Sequence, residues 1–190
     1  MEGKAMYDVA IIGAGPAGAS AALFTAKAGK RTLMFDNGKS ITKRALVKNH
    51  YGVKEVTGPD LISLGKEQAQ QFGAEIVEQT VIDVKPIDGG FLLKTEEAEY
   101  QAKHVLLATG MQVDLAEKIG LEILPGKEPR MKARVAVDEE GRTKIPGIWA
   151  AGTIAGVSVH TIVTAGHGAQ VAINIISELN GERYVDHDVL

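Results

Sequence analysis

The chain has 190 residues, 45% of them apolar, which is enough for one buried core, and its 21 Lys and Arg stand against 24 Asp and Glu for a formal charge of −3. That balance provides no broad basic field for a nucleic-acid backbone or an anionic membrane. The absence of cysteine excludes disulfides, thiolate metal sites and thiol redox chemistry carried by this chain.

Residues 7–12 form a short apolar run of strand length, closed by Gly13-Ala14-Gly15-Pro16-Ala17-Gly18. An alanine-rich helix over 16–28 follows, and Gly29 stops it. A second strand over 31–35 ends on Asp36, so the opening is a βαβ unit and implies a parallel sheet. The polar segment 37–57 predicts a loop with a short helix, and Gly58-Pro59-Asp60 opens a helix running to 72. Between 80 and 102, short β-prone runs are split by Ile87-Asp88-Gly89-Gly90 and Glu96-Glu97-Ala98, which predicts an antiparallel three-stranded meander. A separate buried strand is expected over 104–108, then a mixed stretch with a turn at Asp138-Glu139-Glu140-Gly141. A strand over 147–151, a glycine loop and a helix to Leu179 complete the chain. The expected class is α/β, a Rossmann-like domain with a parallel sheet and an antiparallel three-stranded meander, as one domain over 1–190.

From 145 to 177 there is no Asp, Glu, Lys or Arg. Pro146, five glycines and several hydroxyl and imidazole side chains break this run too often for a spanning helix, so it reads as buried strand, loop and helix that need cover. The start Met1-Glu2-Gly3-Lys4 lacks a signal-peptide pattern, and the expectation is a cytoplasmic protein.

Gly13 and Gly15 permit a tight turn and close backbone approach to a diphosphate, Gly18 lets the helix pack on the strand, and the helix start offers free N–H groups. Asp36 follows Gly18 at roughly the 20-residue spacing at which a carboxylate meets the adenosine ribose. An adenine dinucleotide is therefore the expected ligand. The same carboxylate opposes a ribose 2′-phosphate unless Lys43 and Arg44 fold back towards it; a solvated loop face is the expectation for that pair. His160 and His167 have no carboxylate between them, so no metal site is expected, and no serine sits in a nucleophile elbow. Trp149 reads as core, with stacking beside a ligand loop as the alternative.

Three further segments carry a resemblance: Val105-Leu106-Leu107-Ala108-Thr109-Gly110, Thr143-Lys144-Ile145-Pro146-Gly147-Ile148-Trp149-Ala150-Ala151-Gly152, and Thr164-Ala165-Gly166-His167-Gly168-Ala169. With the N-terminal fingerprint they resemble, in order, the FAD domain of thioredoxin-reductase-like flavoproteins in the pyridine-nucleotide-disulfide oxidoreductase superfamily. Asn49-His50-Tyr51-Gly52 is a weaker echo of the family's Asn-x-Pro-Gly. The resemblance implies FAD, held by Gly13, Ala14, Gly15, Pro16, Ala17, Gly18, Asp36, Asn37, Asn49, Val81, Thr109, Gly110, Gly152, Thr153, His160 and Thr161. Thr153 stands where the family has an Asp at the ribityl chain. His160 is placed at the flavin edge, with a partly buried histidine bonded to a backbone carbonyl as the alternative.

Two departures shape the expected function. The interval from Gly110 to Gly152 is too short for the family's nicotinamide domain, and there is no Cys-x-x-Cys. The expectation is accordingly a flavin-dependent oxidoreductase or electron-transfer domain, fed by free NAD(P)H or an electron-donor protein, and not a thioredoxin reductase. A non-catalytic dinucleotide-binding module and an NAD-binding protein without flavin are the alternatives. The long uncharged run and the family's habit imply a homodimer.

Overall fold

The computed structural model describes residues 6–186 and 188; the Met1–Lys4 start lies outside them. Strand β1 (Tyr7–Ile12) runs into helix α1 (Pro16–Lys27) and returns as β2 (Thr32–Phe35), parallel to β1 with Val9 opposite Thr32. A 3-10 turn at Ile41–Arg44 precedes the two-residue strands β3 (Leu46–Val47) and β4 (Val56–Thr57), which pair with each other. Helix α2 (Gly58–Gln71) starts where Thr57 Oγ1 accepts the Asp60 N–H, satisfying one of the free donors of a helix start. Strand β5 (Glu75–Val77) then adds to the free edge of β2.

The meander is present as β6 (Asp83–Ile87), β7 (Gly90–Lys94) and the first part of β8 (Glu99–Leu107). The expected separate strand after the meander is not separate. β8 is one strand of nine residues whose first half pairs antiparallel with β7 and whose second half pairs parallel with β11 on the same edge, while β1 pairs along its other edge. No turn residue interrupts Gln101-Ala102-Lys103, so nothing stops the strand there.

Past Gly110 lie a short helix α3 (Asp114–Lys118) and the antiparallel pair β9 (Ile123–Pro125) and β10 (Ala133–Val135). Strand β11 (Ile148–Ala150), a 3-10 turn at Gly152–Ala155 and helix α4 (Thr161–Asn180) follow. None of the described helices is long and apolar enough to cross a membrane.

The sheet order is β5-β2-β1-β8-β7-β6, with β11 joined to β8. Alternation along β1 sends Val9 and Ile11 to one face, where alanines of α1 and Val171, Ala172 and Ile175 of α4 cover them. Ala10 and Ile12 face the other layer, with Phe35, Leu93, Val105, Val135 and Ile154. Because both faces are covered, the central strands read as continuous apolar runs. Helix α4 lies so close on α1 that a side chain at Gly168 would stand 2.1 Å from the Ala17 carbonyl oxygen. Trp149 is core, 1% exposed. The uncharged run is buried from Ile148 through the 3-10 turn at Gly152–Ala155, but Pro146 before it and Val159, Ile162 and Val163 around the start of α4 are exposed.

Candidate functional site

The carboxyl ends of β1, β2, β8 and β11 point to one edge of the sheet, the edge at which open parallel sheets bind ligands. The four chain ends are tied to each other. Gly13 donates to the Phe35 carbonyl at 2.9 Å, Ala108 to Ile12 at 2.8 Å, and Ala151 to Leu107 at 2.9 Å.

The glycines of the fingerprint have different duties. Gly13 lies at φ +111, and a Cβ there would meet the Ala108 carbonyl oxygen at 2.3 Å; at Gly18 a Cβ would stand 1.8 Å from the Gly13 carbonyl oxygen. Both belong to packing. At Gly15 a Cβ would touch only the Ser40 side chain, at 3.2 Å, so this glycine keeps space open outside the protein. Gly15 is the N-cap of α1 and has no side-chain cap, Pro16 occupies the first turn, and no acid stands there. The free N–H groups and the positive end of the helix dipole thus meet no acid within their own first turn, which fits a diphosphate. Ala14 and Ala17 are buried beneath this turn.

Asp36 ends β2 and is 7% exposed. Its Oδ1 accepts the Gly38 N–H at 2.8 Å and its Oδ2 accepts from Lys66 Nζ of α2 at 2.7 Å. Burial pushes its pKa up, but the Lys66 ammonium, the Gly38 N–H and the Lys43 charge outweigh that and hold it below the ordinary carboxylate value. Beside it opens a cleft of about 450 Å³, lined by Asn37, Lys43, Lys66, Glu78 and Thr80 among others. Lys43 and Arg44 are both exposed, in keeping with the expected solvated face, yet the 3-10 turn at Ile41–Arg44 brings Lys43 Nζ near Gly38 and Lys43 lines the cleft. Lys66 was not foreseen at all. Nothing in its sequence surroundings shows that α2 presents it to the end of β2.

The other expected positions divide. Asn37 is exposed at the cleft, its Oδ1 accepting the Lys39 N–H. The Val81 side chain is buried in the core, so only its backbone could meet a ligand. Thr109 donates to the Gln112 carbonyl at 2.6 Å, and Gly110 adopts φ +66. Asn49 is exposed in its loop. Its neighbour His50 faces inward instead, lining a smaller cleft with Gly15 and Pro16, with its Nδ1 3.0 Å from the hydroxyl of buried Thr161. Thr153 is buried, and Gly152 adopts φ +79. His160 is exposed, with its Nδ1 2.7 Å from Ser158 Oγ; the alternative of a partly buried ring bonded to a backbone carbonyl does not occur. His167, weighed from the sequence only as a metal ligand, accepts the Gly152 N–H at Nδ1.

The family model for pyridine nucleotide-disulphide oxidoreductases matches residues 7–123. A thioredoxin reductase of Peptoclostridium acidaminophilum is 46% identical over 127 residues, 64% of this chain and 40% of its own length. One from Bacillus subtilis is 36% identical over 133 residues, 67% of this chain and 40% of its own. The chain thus spans about 40% of the length of these relatives. Among solved structures, a thioredoxin reductase from Gloeobacter violaceus superimposes with a TM-score of 0.78 at 19% identity, covering 97% of this chain and 99% of the other, a likeness of fold.

These relatives overturn the expectation that the chain stands outside the thioredoxin reductases. The missing Cys-x-x-Cys and the short interval after Gly110 are true of the sequence, but they do not separate it from proteins bearing that name, because the shared segment lies in the nucleotide-binding half. With the uncapped α1, the open position at Gly15 and the acid at the end of β2, the match places this chain in the pyridine nucleotide-disulphide oxidoreductase family, whose cofactor is FAD.

Proposed function

We propose that residues 1–190 act as one FAD-binding unit of a flavin-dependent oxidoreductase of the thioredoxin-reductase kind. The observation that carries this reading is the alignment, on one sheet edge, of an acid at the end of β2, an uncapped helix start open at Gly15 and the buried Gly152–Thr153 turn. Asp36 and Asn37 would receive the adenosine end, the backbone over 13–18 the diphosphate, and Thr109, Gly110, Gly152, Thr153, His160 and Thr161 the ribityl and ring end. Asn49 and the backbone of Val81 complete the set. Bound there, FAD supplies the electron transfer, and the protein supplies position and electrostatics.

Electrons are proposed to come from free NAD(P)H or from an electron-donor protein. A homodimer in the cytoplasm is the proposed setting, with self-association covering the apolar residues at the start of α4. The test is the visible spectrum of the purified or FAD-reconstituted protein, followed by anaerobic addition of NADH or NADPH. A flavin band that bleaches and recovers in air is expected. A colourless protein that does not quench added FAD fluorescence would overturn the cofactor assignment, and a bound flavin inert to both nucleotides would leave the donor protein as the source.

A further inference from the structure

Where the chain leaves the sheet after β11, Ala151 still donates to the Leu107 carbonyl at 2.9 Å. The next amide, that of Gly152, is directed elsewhere. Its acceptor is the Nδ1 atom of His167 on α4, 3.0 Å away. The surroundings leave this turn little freedom: a Cβ at Gly152 would stand 2.7 Å from the Ala17 Cβ, and Gly168, beside His167, packs on the Ala17 carbonyl. The diphosphate-side helix, the Gly152–Ala155 turn and α4 thus close on one another around residues 17, 152, 167 and 168.

An imidazole accepts at Nδ1 only when that nitrogen carries no proton, which in the neutral ring places the proton on Nε2. Burial alone lowers the pKa of His167, in keeping with the neutral ring. A buried N–H without a partner costs about 1–3 kcal/mol, so the turn depends on this side chain to keep its geometry.

We propose that His167 is a positioning residue for the cofactor: by accepting the Gly152 N–H it fixes the turn that carries Thr153 at the ribityl end of the site. The proposal rests on the FAD reading above. It also gives the third motif a role within the site: Gly168 permits the close helix crossing, and His167 uses that closeness to reach the turn.

Two measurements test it on the full chain. Nitrogen-15 NMR of the FAD-free protein at neutral pH should show His167 protonated at Nε2 and bare at Nδ1; a proton on Nδ1 overturns the proposal whatever the affinity for FAD. FAD fluorescence quenching then compares wild type, His167→Asn, whose side-chain oxygen can take the place of Nδ1, and His167→Leu. The expected result is an affinity within about threefold of wild type for His167→Asn and about tenfold or more weaker for His167→Leu. Equal affinity in all three, or equal loss in both variants, overturns the proposal. Wild-type protein that binds no FAD would overturn the cofactor reading itself, a separate result. Should His167→Leu fail to fold, the ring-proton measurement and His167→Asn still decide.

Discussion

Lys66 of α2 and Asp36 at the end of β2 meet at 2.7 Å, with the Lys66 side chain 22% and the Asp36 side chain 8% exposed. The acid expected to greet a ribose is therefore already held from the other side. A carboxylate oxygen has more than one lone-pair site, so the pair orients Asp36 without using up its capacity to accept. Lys66→Met should destabilise the protein by about 1–3 kcal/mol in urea titrations, because it leaves a buried carboxylate without its counter-charge. Combining it with Asp36→Asn should recover most of that stability. Asp36→Ala should weaken FAD by about 1–3 kcal/mol in titration calorimetry. An unchanged dissociation constant would mean that Asp36 serves only α2.

The three fingerprint glycines allow fold and ligand to be separated. Gly15→Val adds atoms to space that the protein leaves open save for Ser40, so the apoprotein should melt within a few degrees of wild type while losing FAD. Gly18→Val drives a side chain into the Gly13 carbonyl, so it should fail to fold. Retention of FAD by folded Gly15→Val would remove the diphosphate from this turn.

Buried His104 and partly buried His167 are expected to shape the acid limb of stability. Burial, the leading cause, lowers the pKa of His104, and Lys103 adds to this while Glu178 and Asp8 oppose it; burial alone lowers that of His167. Each accepts a hydrogen bond at Nδ1, from the Trp149 indole and from Gly152 respectively. In the unfolded chain both take up a proton near pH 6.5, whereas in the fold they resist until lower pH. The unfolded state then binds more protons, so stability is complete above about pH 6.5 and falls as pH drops towards the folded values. Urea midpoints measured between pH 5 and 8 should show this decline, and His104→Asn with His167→Asn should flatten it. A slope unchanged in the double variant would assign the decline to other groups.

The α1–α4 crossing tolerates no side chain at its centre. Gly168→Ala puts a methyl group 2.1 Å from a backbone oxygen, so α4 must shift away from α1. A loss of about 3 kcal/mol or more in thermal or urea unfolding is expected, together with weaker FAD binding, since Ala17 is at the cradle. Wild-type stability would show that α4 slides freely on α1.

The βαβ opening, both long helices after it and the meander were legible because period and glycine placement agree there. Strand β5 was not, since Glu75-Ile76-Val77 is too short to show a period and owes its state to the free edge of β2. The join within β8 was hidden for a related reason: one strand changes partner from β7 to β11 without any change in its own backbone. At the site, the glycines and Asp36 could be read because their chemistry is local in the chain. Lys66, His50 and His167 could not, because each matters through a partner distant in sequence: Asp36, Thr161 and Gly152. Packing of α2 and α4 against the sheet creates those pairs.

Strand β8 also governs the order of assembly. A nascent chain that has made only β1, α1 and β2 holds the whole glycine fingerprint, yet Val9 must wait for His104, and the Gly13 turn for Ala108. Until then β1 presents an unpaired edge with the apolar residues Val9, Ala10, Ile11 and Ile12, the kind of surface that recruits stray strands. Closing so long a loop is slow relative to forming the local helix. The N-terminal fragment thus carries the fingerprint's letters without its binding geometry, and early release of the chain before β8 would yield an aggregating peptide in place of a smaller nucleotide binder.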